Sequence, residues 1–387
     1  MAKRIVAGFV PLVDCAVLVA AREIGFAREH GIDLDLRKEP SWASLRDHLN
    51  LGYLDCAHAL APLPIASTIG VGQVRAECAV PFVLGRGGNA ITLSAPLFET
   101  MCDAAGIALT AEPRATAAAL ARVVRKRREP LTLGMVFPFS THNFDLRHWL
   151  ASAGIHPDQD VRLVAIPPPL MVESLAAGHV DGFCVGEPWN SLAVLRNLGH
   201  VVATKSQLLP RGVEKVLAVP PGLAADAGTL GPLLRALDAA AAWCDDRTNA
   251  AELSRLLATP AYLGVPGFSI HDTLLGRVPL GGGEWLDDPD FLFFHRHAAN
   301  APRTDEALWL YAQMLRWGQL PASESSREIA ARVFRPDLYA LHVGAPPPTP
   351  LPQPFDGTRF DPAAVAAYVA NATIHTPFVA ATHVGEG

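Results

Sequence analysis

The sequence has few cysteines, and none of the six forms a Cys-x-x-Cys pair, the spacing typical of zinc sites and dithiol redox centres. A chain of 387 residues does not need disulfide bonds to fold. The cysteines lie mostly among apolar residues, so we expect reduced, buried thiols. His295 and His297, without a third ligand nearby, are too few to predict a metal site. We expect neither a metal nor a cofactor.

Long uncharged apolar segments are also absent. No run of eighteen or more apolar residues is free of charge, so a transmembrane helix is not expected. The net charge is −6, and the one basic run, residues 122–128, is predicted to be a solvated helix face rather than a nucleic-acid surface. Neither a Ser-His-Asp set nor a catalytic pair of carboxylates is evident. We therefore expect no enzymatic activity, no direct contact with nucleic acid and no membrane association.

The first fifteen residues have some features of a lipoprotein export signal, because Lys3 and Arg4 precede an apolar stretch that ends just before Cys15. Asp14, however, occupies the position where a cleavage site needs a small residue. Residues 5–11 are themselves the natural first strand of a fold. We therefore expect a cytoplasmic protein.

Alternating strand and helix patterns predict an α/β fold with mostly parallel sheets. Among the helices we predict one from Asp14, its N-cap, to about His30, and one from Trp42 capped by Ser41. The Pro-rich residues 346–354 are predicted to form an extended strap along the surface. Half of the residues are hydrophobic, enough for a sizeable core. We predict two lobes: residues 1–92 plus 216–387, with C-terminal helices, form the first, and residues 93–215 form the second. Hinge strands are expected near 89–94 and 213–219. In such folds the ligand binds between the lobes, beside strand ends and helix N-termini.

Two strand-to-helix junctions mark the predicted cleft. Residues 137–142, Phe-Pro-Phe-Ser-Thr-His, lead into an amphipathic helix that ends at Gly154. Residues 185–190, Val-Gly-Glu-Pro-Trp-Asn, form the second junction. Backbone N–H groups at a helix N-terminus favour an anion, so the two junctions predict a cleft for a small anionic ligand.

Several motifs resemble the nitrate- and bicarbonate-binding proteins of cyanobacterial-type ABC transporters. They are Ser-Trp-Ala-Ser-Leu-Arg-Asp at 41–47, Asp-Cys-Ala-His-Ala-Leu-Ala-Pro-Leu-Pro at 55–64, the two junctions, and the prolines at 167–169. The resemblance implies a two-lobed periplasmic-binding-protein-like (type II) fold. Because no export signal is expected, the chain resembles most the NasS-type branch, the cytosolic nitrate/nitrite sensors. That branch implies a partner, an RNA-binding antiterminator with an ANTAR domain (NasT type), and control of nitrate-assimilation genes.

The same resemblance implies a nitrate pocket made of Trp42, Asn89, His142 and Lys215. Asn89 departs from the family pattern, which has a glutamine there. Nitrate spreads one charge over three acceptor oxygens and needs several donors and a compensating cation. These residue types supply both, with Lys215 as the cation.

Three of these four residues, Trp42, His142 and Lys215, also have an ordinary structural explanation. A tryptophan at a helix start usually belongs to the core, a histidine at a helix start is often a cap, and a strand lysine usually faces solvent. Five further residues are predicted to form the pocket wall or the hinge: His58, Thr141, Pro168, Gly186 and Glu187. Glu187 would repel an anion, so we favour a hinge role for it.

Two other functions stay open. The chain could be the nitrate-binding protein of an ABC transporter. It could also be an enzyme on the same fold, a pyrimidine-precursor synthase or a desulfinase, with Cys15 or Cys56 acting beside His58. Fold alone does not distinguish these classes.

Overall fold

The structure is a computed structural model that describes residues 2–72 and 74–379. Its strands, in chain order, are β1 Lys3–Phe9, β2 Ile32–Lys38, β3 Cys56–Leu60, β4 Ala79–Gly87, β5 Asn89–Ser94, β6 Leu131–Met135, β7 Val161–Ala165, β8 Gly182–Gly186, β9 Gly199–Thr204, β10 Val213–Val219, β11 Arg277–Gly281, β12 Glu284–Asp287 and β13 Leu292–Phe293.

The helices, in chain order, are α1 Ala16–Glu23, α2 Phe26–Glu29, α3 Trp42–Asn50, α4 Leu63–Ile69, α5 Ala95–Ala105, α6 Pro113–Val124, α7 Thr141–Ser152, α8 Met171–Ala176, α9 Trp189–Leu195, α10 Lys205–Leu208, α11 Pro221–Ala225, α12 Ala227–Asp245, α13 Ala250–Leu257, α14 Gly267–Leu274, α15 Thr304–Arg316, α16 Glu324–Val333, α17 Pro336–His342 and α18 Val365–Ala370. Short 3-10 helices cover Val13–Cys15, Pro168–Leu170, Arg247–Asn249, Arg296–Ala298 and Pro362–Ala364.

Two sheets form the centres of two lobes. The first is six-stranded, in the order β13-β4-β10-β3-β1-β2, and the second is five-stranded, in the order β7-β6-β8-β5-β9. In the first sheet β1 runs parallel to β2 and β3, whereas β10 is antiparallel to β3 and β4. In the second sheet β6 runs parallel to β7 and β8, and β5 is antiparallel to β8 and β9. Helices pack on both sheets, so the predicted two-lobed α/β architecture is confirmed.

The chain passes from the first sheet to the second at Gly87 and Gly88, which have φ of 74° and 82°. A methyl group on Gly87 would lie 2.1 Å from the carbonyl oxygen of Phe291, so this crossing requires glycine. The chain returns to the first sheet between β9 and β10. The predicted lobe boundaries are 92/93 and 215/216, and the chain passes between the sheets a few residues before each of them. The division into domains at those positions stays a prediction.

The helix predicted from Asp14 to about residue 30 is wrong in detail. Gly25, at φ of 108°, separates α1 from α2. Asp14 does not cap α1, because it lies within the 3-10 turn and its carboxylate faces the lobe junction instead. The predicted cap of α3 is confirmed, since the backbone N–H of Ser44 donates to Oγ of Ser41 over 3.2 Å.

The C-terminal strap, residues 345–379, contacts both lobes. The backbone N–H of Phe355 donates to the carbonyl of Leu208 over 2.9 Å, and Nε2 of His148 lies 2.6 Å from a carboxylate oxygen of Asp356. Farther along, α18 packs on α15. The Pro-rich residues 346–354 are mostly exposed and form neither helix nor strand, which agrees with a surface strap, but the strap is not confined to the first lobe. Among the described residues, no helix is both long and apolar enough to cross a membrane.

Candidate functional site

The two lobes touch through backbone and side-chain hydrogen bonds at one end of the sheets. The backbone N–H of Val13 donates to the carbonyl of Glu187 over 2.8 Å. The indole N–H of Trp189 donates to the carbonyl of Pro11 over 3.3 Å. These contacts join the loop after β1 to the loop after β8, so the cleft between the lobes is closed.

A set of polar side chains lies buried in this closed cleft, which is unusual because buried polar groups are costly unless they are paired. We call this set the cleft cluster; its members are Asp14, Trp42, His58, Asn89, Thr141, His142, Asp145, Lys205, Glu214 and Lys215. The largest exposed fraction of any member is 7%. The cluster contains all four residues of the predicted nitrate pocket, so the fold brings them together.

Lys215, on β10, connects two carboxylates and an aromatic ring. Its Nζ lies 2.7 Å from Oδ2 of Asp14 and 2.9 Å from Oε1 of Glu214. The same atom lies 5.5 Å from the centre of the Trp42 ring, within range of a cation–π interaction. Burial lowers the pKa of Lys215, but Asp14 and Glu214 outweigh that effect and raise the pKa above its ordinary value. Lys215 is therefore a charged ammonium at neutral pH, already shared between two carboxylates.

Glu214 lies at the centre of the ion pairs. Its Oε2 is 2.9 Å from Nζ of Lys205 and also accepts a hydrogen bond from the hydroxyl of Thr141. Burial raises the pKa of Glu214, but Lys205, Lys215 and His142 together hold it well below its ordinary range. Lys205 also lies 3.2 Å from Oδ2 of Asp145. Neither lysine of the cluster is therefore without a carboxylate partner.

Consecutive residues of a regular strand point to opposite faces, yet both Glu214 and Lys215 reach the cluster. The pairing of β10 with β4 shifts register on both sides of Lys215. Such irregularities re-aim side chains and are common beside functional sites. This local break in the alternation explains how both charges reach one site.

Trp42 and His58 line the first-lobe side. Trp42 begins α3, and its indole Nε1 is buried without a hydrogen-bond partner. Its ring centre lies 5.6 Å from that of His58 on β3. Nε2 of His58 lies 2.9 Å from Oδ1 of Asp14, but off the direction of a ring N–H bond, so neither atom forms a directed hydrogen bond.

His142 lies in the first turn of α7, whose N-cap Ser140 accepts from the backbone N–H of Asn143 over 3.1 Å. Both of its ring nitrogens are buried and lack a hydrogen-bond partner; Nδ1 lies 3.6 Å from Oε1 of Glu214. Burial lowers the pKa of His142 to about 3, so the ring is neutral. The helix is buried on most sides rather than amphipathic, because the C-terminal part of the chain also packs on it, with His148 against Phe355 and Arg147 against Trp317.

Asn89 is the first residue of β5 and pairs with Gly186 of β8. Neither the oxygen nor the nitrogen of its side-chain amide has a hydrogen-bond partner. A methyl group at Gly186 would lie 3.4 Å from Oδ1 of Asn89 and 3.5 Å from Oδ2 of Asp14. The absence of a side chain at Gly186 therefore leaves room where these two polar groups approach each other.

Glu187 lies at the lobe junction, where its Oε2 accepts from the backbone N–H of Ser191 over 3.1 Å and its Oε1 has no partner. Burial raises the pKa of Glu187 to about 7, although the bond from Ser191 opposes the shift. Pro168 is buried at the start of a 3-10 helix. The wall and hinge roles of these residues stay predictions.

The unpaired atoms indicate what the cleft can do. Native proteins leave few buried polar groups without partners, so a concentration of them points to a missing ligand. Trp42, Asn89 and His142 can each donate a hydrogen bond to an acceptor placed among them, and the ammonium of Lys215 lies beside the Trp42 ring. A small, compact, acceptor-rich ligand suits this arrangement.

Sequence analysis missed four charged members of the cluster: Asp14, Asp145, Lys205 and Glu214. The available signal was the charged pair Glu214-Lys215 inside the apolar run of residues 213–219. Two adjacent opposite charges in a buried strand require partners, and only Lys215 was noted. Nothing in the local sequence around Lys205 or Asp145 marks them as buried.

The sequence profile of the NMT1-like family matches residues 2–258. The nitrate import ATP-binding protein NrtC of Synechocystis is 39% identical over 378 residues, which is 95% of this chain and 55% of that relative. The chain thus spans about half the length of NrtC. The nitrate/nitrite binding protein NrtA of Synechococcus elongatus is 32% identical over 390 residues, 95% of this chain and 85% of that protein.

The crystal structure of the periplasmic nitrate-binding protein NrtA from Synechocystis PCC 6803 superposes with a TM-score of 0.88 at 29% identity, covering 96% of this chain and 99% of NrtA. The predicted periplasmic-binding-protein-like fold is confirmed by this match. The chain belongs to the NMT1-like family and is homologous to the nitrate-binding protein NrtA.

Proposed function

We propose that this protein binds nitrate or nitrite in the cleft between its lobes. The observation that carries the proposal is the group of buried, unpaired hydrogen-bonding atoms of Trp42, Asn89 and His142, which lie in one cluster with the ammonium of Lys215. Nitrate has four heavy atoms and no hydrogen to donate, so a site of converging donors suits it. The similarity to nitrate/nitrite-binding NrtA supports the same ligand.

We further propose that the protein is a cytosolic sensor and not a carrier that feeds a transporter. One supporting observation is that Cys15 is fully buried in the core and that cleavage before it would remove β1 from the first sheet, which argues against lipid attachment at this residue. In the sensor, closure of the lobes around the anion changes the surface presented to a partner. The partner is an ANTAR-domain antiterminator, which binds the anion-free form and controls nitrate-assimilation genes.

A second candidate is an anion-binding unit of an ABC transporter. The identity of 39% to NrtC and of 32% to NrtA favours it, because both relatives are named for nitrate transport or binding. Its partner would be a transporter subunit and not an antiterminator.

The enzyme alternative has little support from the cysteines. Burial raises the pKa of Cys15 and of Cys56 well above the ordinary value, the opposite of the shift that makes a catalytic thiolate. The ring of His58 faces Asp14, so it does not activate either thiol.

Ligand identity is tested by isothermal titration calorimetry of the purified protein with nitrate, nitrite, bicarbonate and sulfate. We expect heat of binding with nitrate or nitrite and none with sulfate.

The choice between sensor and transporter protein is tested by size-exclusion chromatography of this protein with the antiterminator, with and without the bound anion. A complex that forms only without anion supports the sensor. A complex indifferent to nitrate and nitrite contradicts it and favours the transporter candidate.

A further inference from the structure

The charges of the cleft cluster do not include a cation free to balance an anion. Its two ammonium groups, on Lys205 and Lys215, contact three carboxylates, on Asp14, Asp145 and Glu214. Burial raises the pKa of Asp145, but even with that group protonated the remaining charges only cancel. A buried anion without a net compensating charge is strongly disfavoured. One more positive charge must therefore accompany the ligand.

The carboxylate of Asp14 shares its one ammonium partner with a second carboxylate. Glu214 contacts both lysines and the hydroxyl of Thr141. The ammonium of Lys215 is the one that contacts Asp14, and Oδ1 of Asp14 has no directed hydrogen bond. The imidazole of His58 is the other group within reach, with Nε2 2.9 Å from that oxygen.

A proton on His58 would correct this imbalance. Imidazolium has two donors, so Nε2–H can donate to Oδ1 of Asp14 after a small ring rotation, while Nδ1, which is also unpaired and fully buried, carries the second proton. With Asp14 held by His58, the ammonium of Lys215 is released from one of its two carboxylates. The ammonium of Lys215 can then compensate the charge of a ligand beside the Trp42 ring.

We propose that the cleft takes up its monoanion together with one proton from solvent, and that His58, paired with Asp14, carries this proton. The inference rests on anion binding as proposed above. His58 acts here as a positioning residue, since its charge works through Asp14 and Lys215 rather than by contact with the anion.

The groups that face His58 agree with this assignment. Asp14 comes from the turn after β1, Glu214 and Lys215 from β10, and the Trp42 ring from α3. Burial lowers the pKa of His58 in the free protein, and Lys215 lowers it further, whereas Asp14 and Glu214 raise it. An anion placed beside Lys215 adds a negative charge and raises the pKa. At a pH between the pKa of His58 in the free protein and its higher pKa in the complex, one proton is taken up with each anion.

The sign of the pH dependence follows from linkage. Protons promote anion binding, so the dissociation constant for nitrate rises about tenfold for each pH unit within that window. The number of protons is measured directly by titrating the wild-type protein with nitrate at pH 7 in buffers of different ionisation enthalpy. A tenfold change in the dissociation constant per pH unit corresponds to uptake of about one proton per nitrate, and this is the uptake that we expect. Clear binding with no uptake would overturn the inference but leave the proposed function intact, whereas no binding at all would contradict the proposed function.

Variants identify the proton carrier. His58→Gln keeps a hydrogen-bond donor beside Asp14 but cannot be protonated, so we expect proton uptake to disappear and affinity to become independent of pH. His142→Gln and Glu187→Gln remove two other buried groups with shifted pKa values. His142→Gln is expected to weaken binding, because His142 belongs to the proposed pocket, but in both variants we expect the uptake per bound nitrate to be retained. Loss of uptake in either of those variants, with retention in His58→Gln, would overturn the assignment to His58. The uptake measured on the wild-type protein stands even if one variant does not fold.

Discussion

The ammonium of Lys215 lies 2.7 Å from Oδ2 of Asp14, and this pair links β10 to the turn after β1. The lysine predicted to balance the anion is thus also part of the structure of the first lobe. A substitution that removes its charge affects folding as well as binding.

Lys215→Met is expected to destabilise the protein by about 3–5 kcal/mol, because it leaves buried carboxylates short of positive charge. Asp14 then has no ammonium partner, and Glu214 keeps only Lys205, which it shares with Asp145. Urea unfolding measures the free energy of unfolding. Lys126→Met, at an exposed position of the basic run, is the matched control and should change stability little. Equal stability of the two variants would contradict the charge network described here.

Trp42→Phe tests the unpaired indole N–H. We expect nitrate binding to weaken by about 1.5–3 kcal/mol, the range for a hydrogen bond to a charged group, measured by calorimetry. Trp149→Phe is the control, since Trp149 is equally buried but its N–H donates to the carbonyl of Pro113 within the second lobe. That variant should lose stability and keep its nitrate affinity; the reverse pattern would remove Trp42 from the pocket.

Asn89→Ala removes both unpaired amide atoms at the start of β5, and we expect it to weaken nitrate binding by about 1.5–3 kcal/mol. Asn300→Ala provides the control, because the amide of Asn300 already donates to the carbonyls of Val83 and Phe294. Its effect should fall on stability alone. Calorimetry and urea unfolding on the same two proteins separate the outcomes, and unchanged affinity in Asn89→Ala would place the anion elsewhere.

Glu187→Gln tests the buried carboxyl group at the lobe junction. Its folded-state pKa is raised from 4.5 to about 7, so its stabilising effect is fully present below pH 4.5 and is lost as pH rises through 7. The unfolding free energy of the wild type, relative to that of Glu187→Gln, should fall by about 3 kcal/mol between these pH values and stay level above them. Urea unfolding from pH 4.5 to 8 measures this difference. A constant difference would show that the carboxyl group is already ionised at acid pH.

Much of the fold could be predicted because its signals are local. Strand β10 has the bounds read from the apolar run at 213–219, and Ser41 caps α3 as its side chain and position predicted. The break of the first helix at Gly25 was missed, because a single glycine within a helical pattern is compatible with either outcome.

The site was predicted only in part. Trp42, Asn89, His142 and Lys215 were named from the resemblance, and the fold brings them into one cluster, although their roles await the tests above. The carboxylates that neutralise Lys215 come from residues 14 and 214, 200 positions apart in the chain. The adjacent charges of Glu214 and Lys215 were a local signal, but nothing local predicts that Asp14 joins them, because tertiary packing and the irregular pairing of β10 with β4 create that contact.

The C-terminal strap gives the lobes a third connection besides the crossings near residues 87–88 and 204–213. It is attached to the second lobe by Phe355 and Asp356, and to α15 by the packing of Tyr368 against Trp309, whose ring centres are 5.3 Å apart. Opening of the cleft must therefore either detach the strap from one lobe or deform residues 357–367, which lie between these two attachments. Occupancy of the buried cleft is in this way coupled mechanically to a segment on the outside of the molecule, where another protein could detect it.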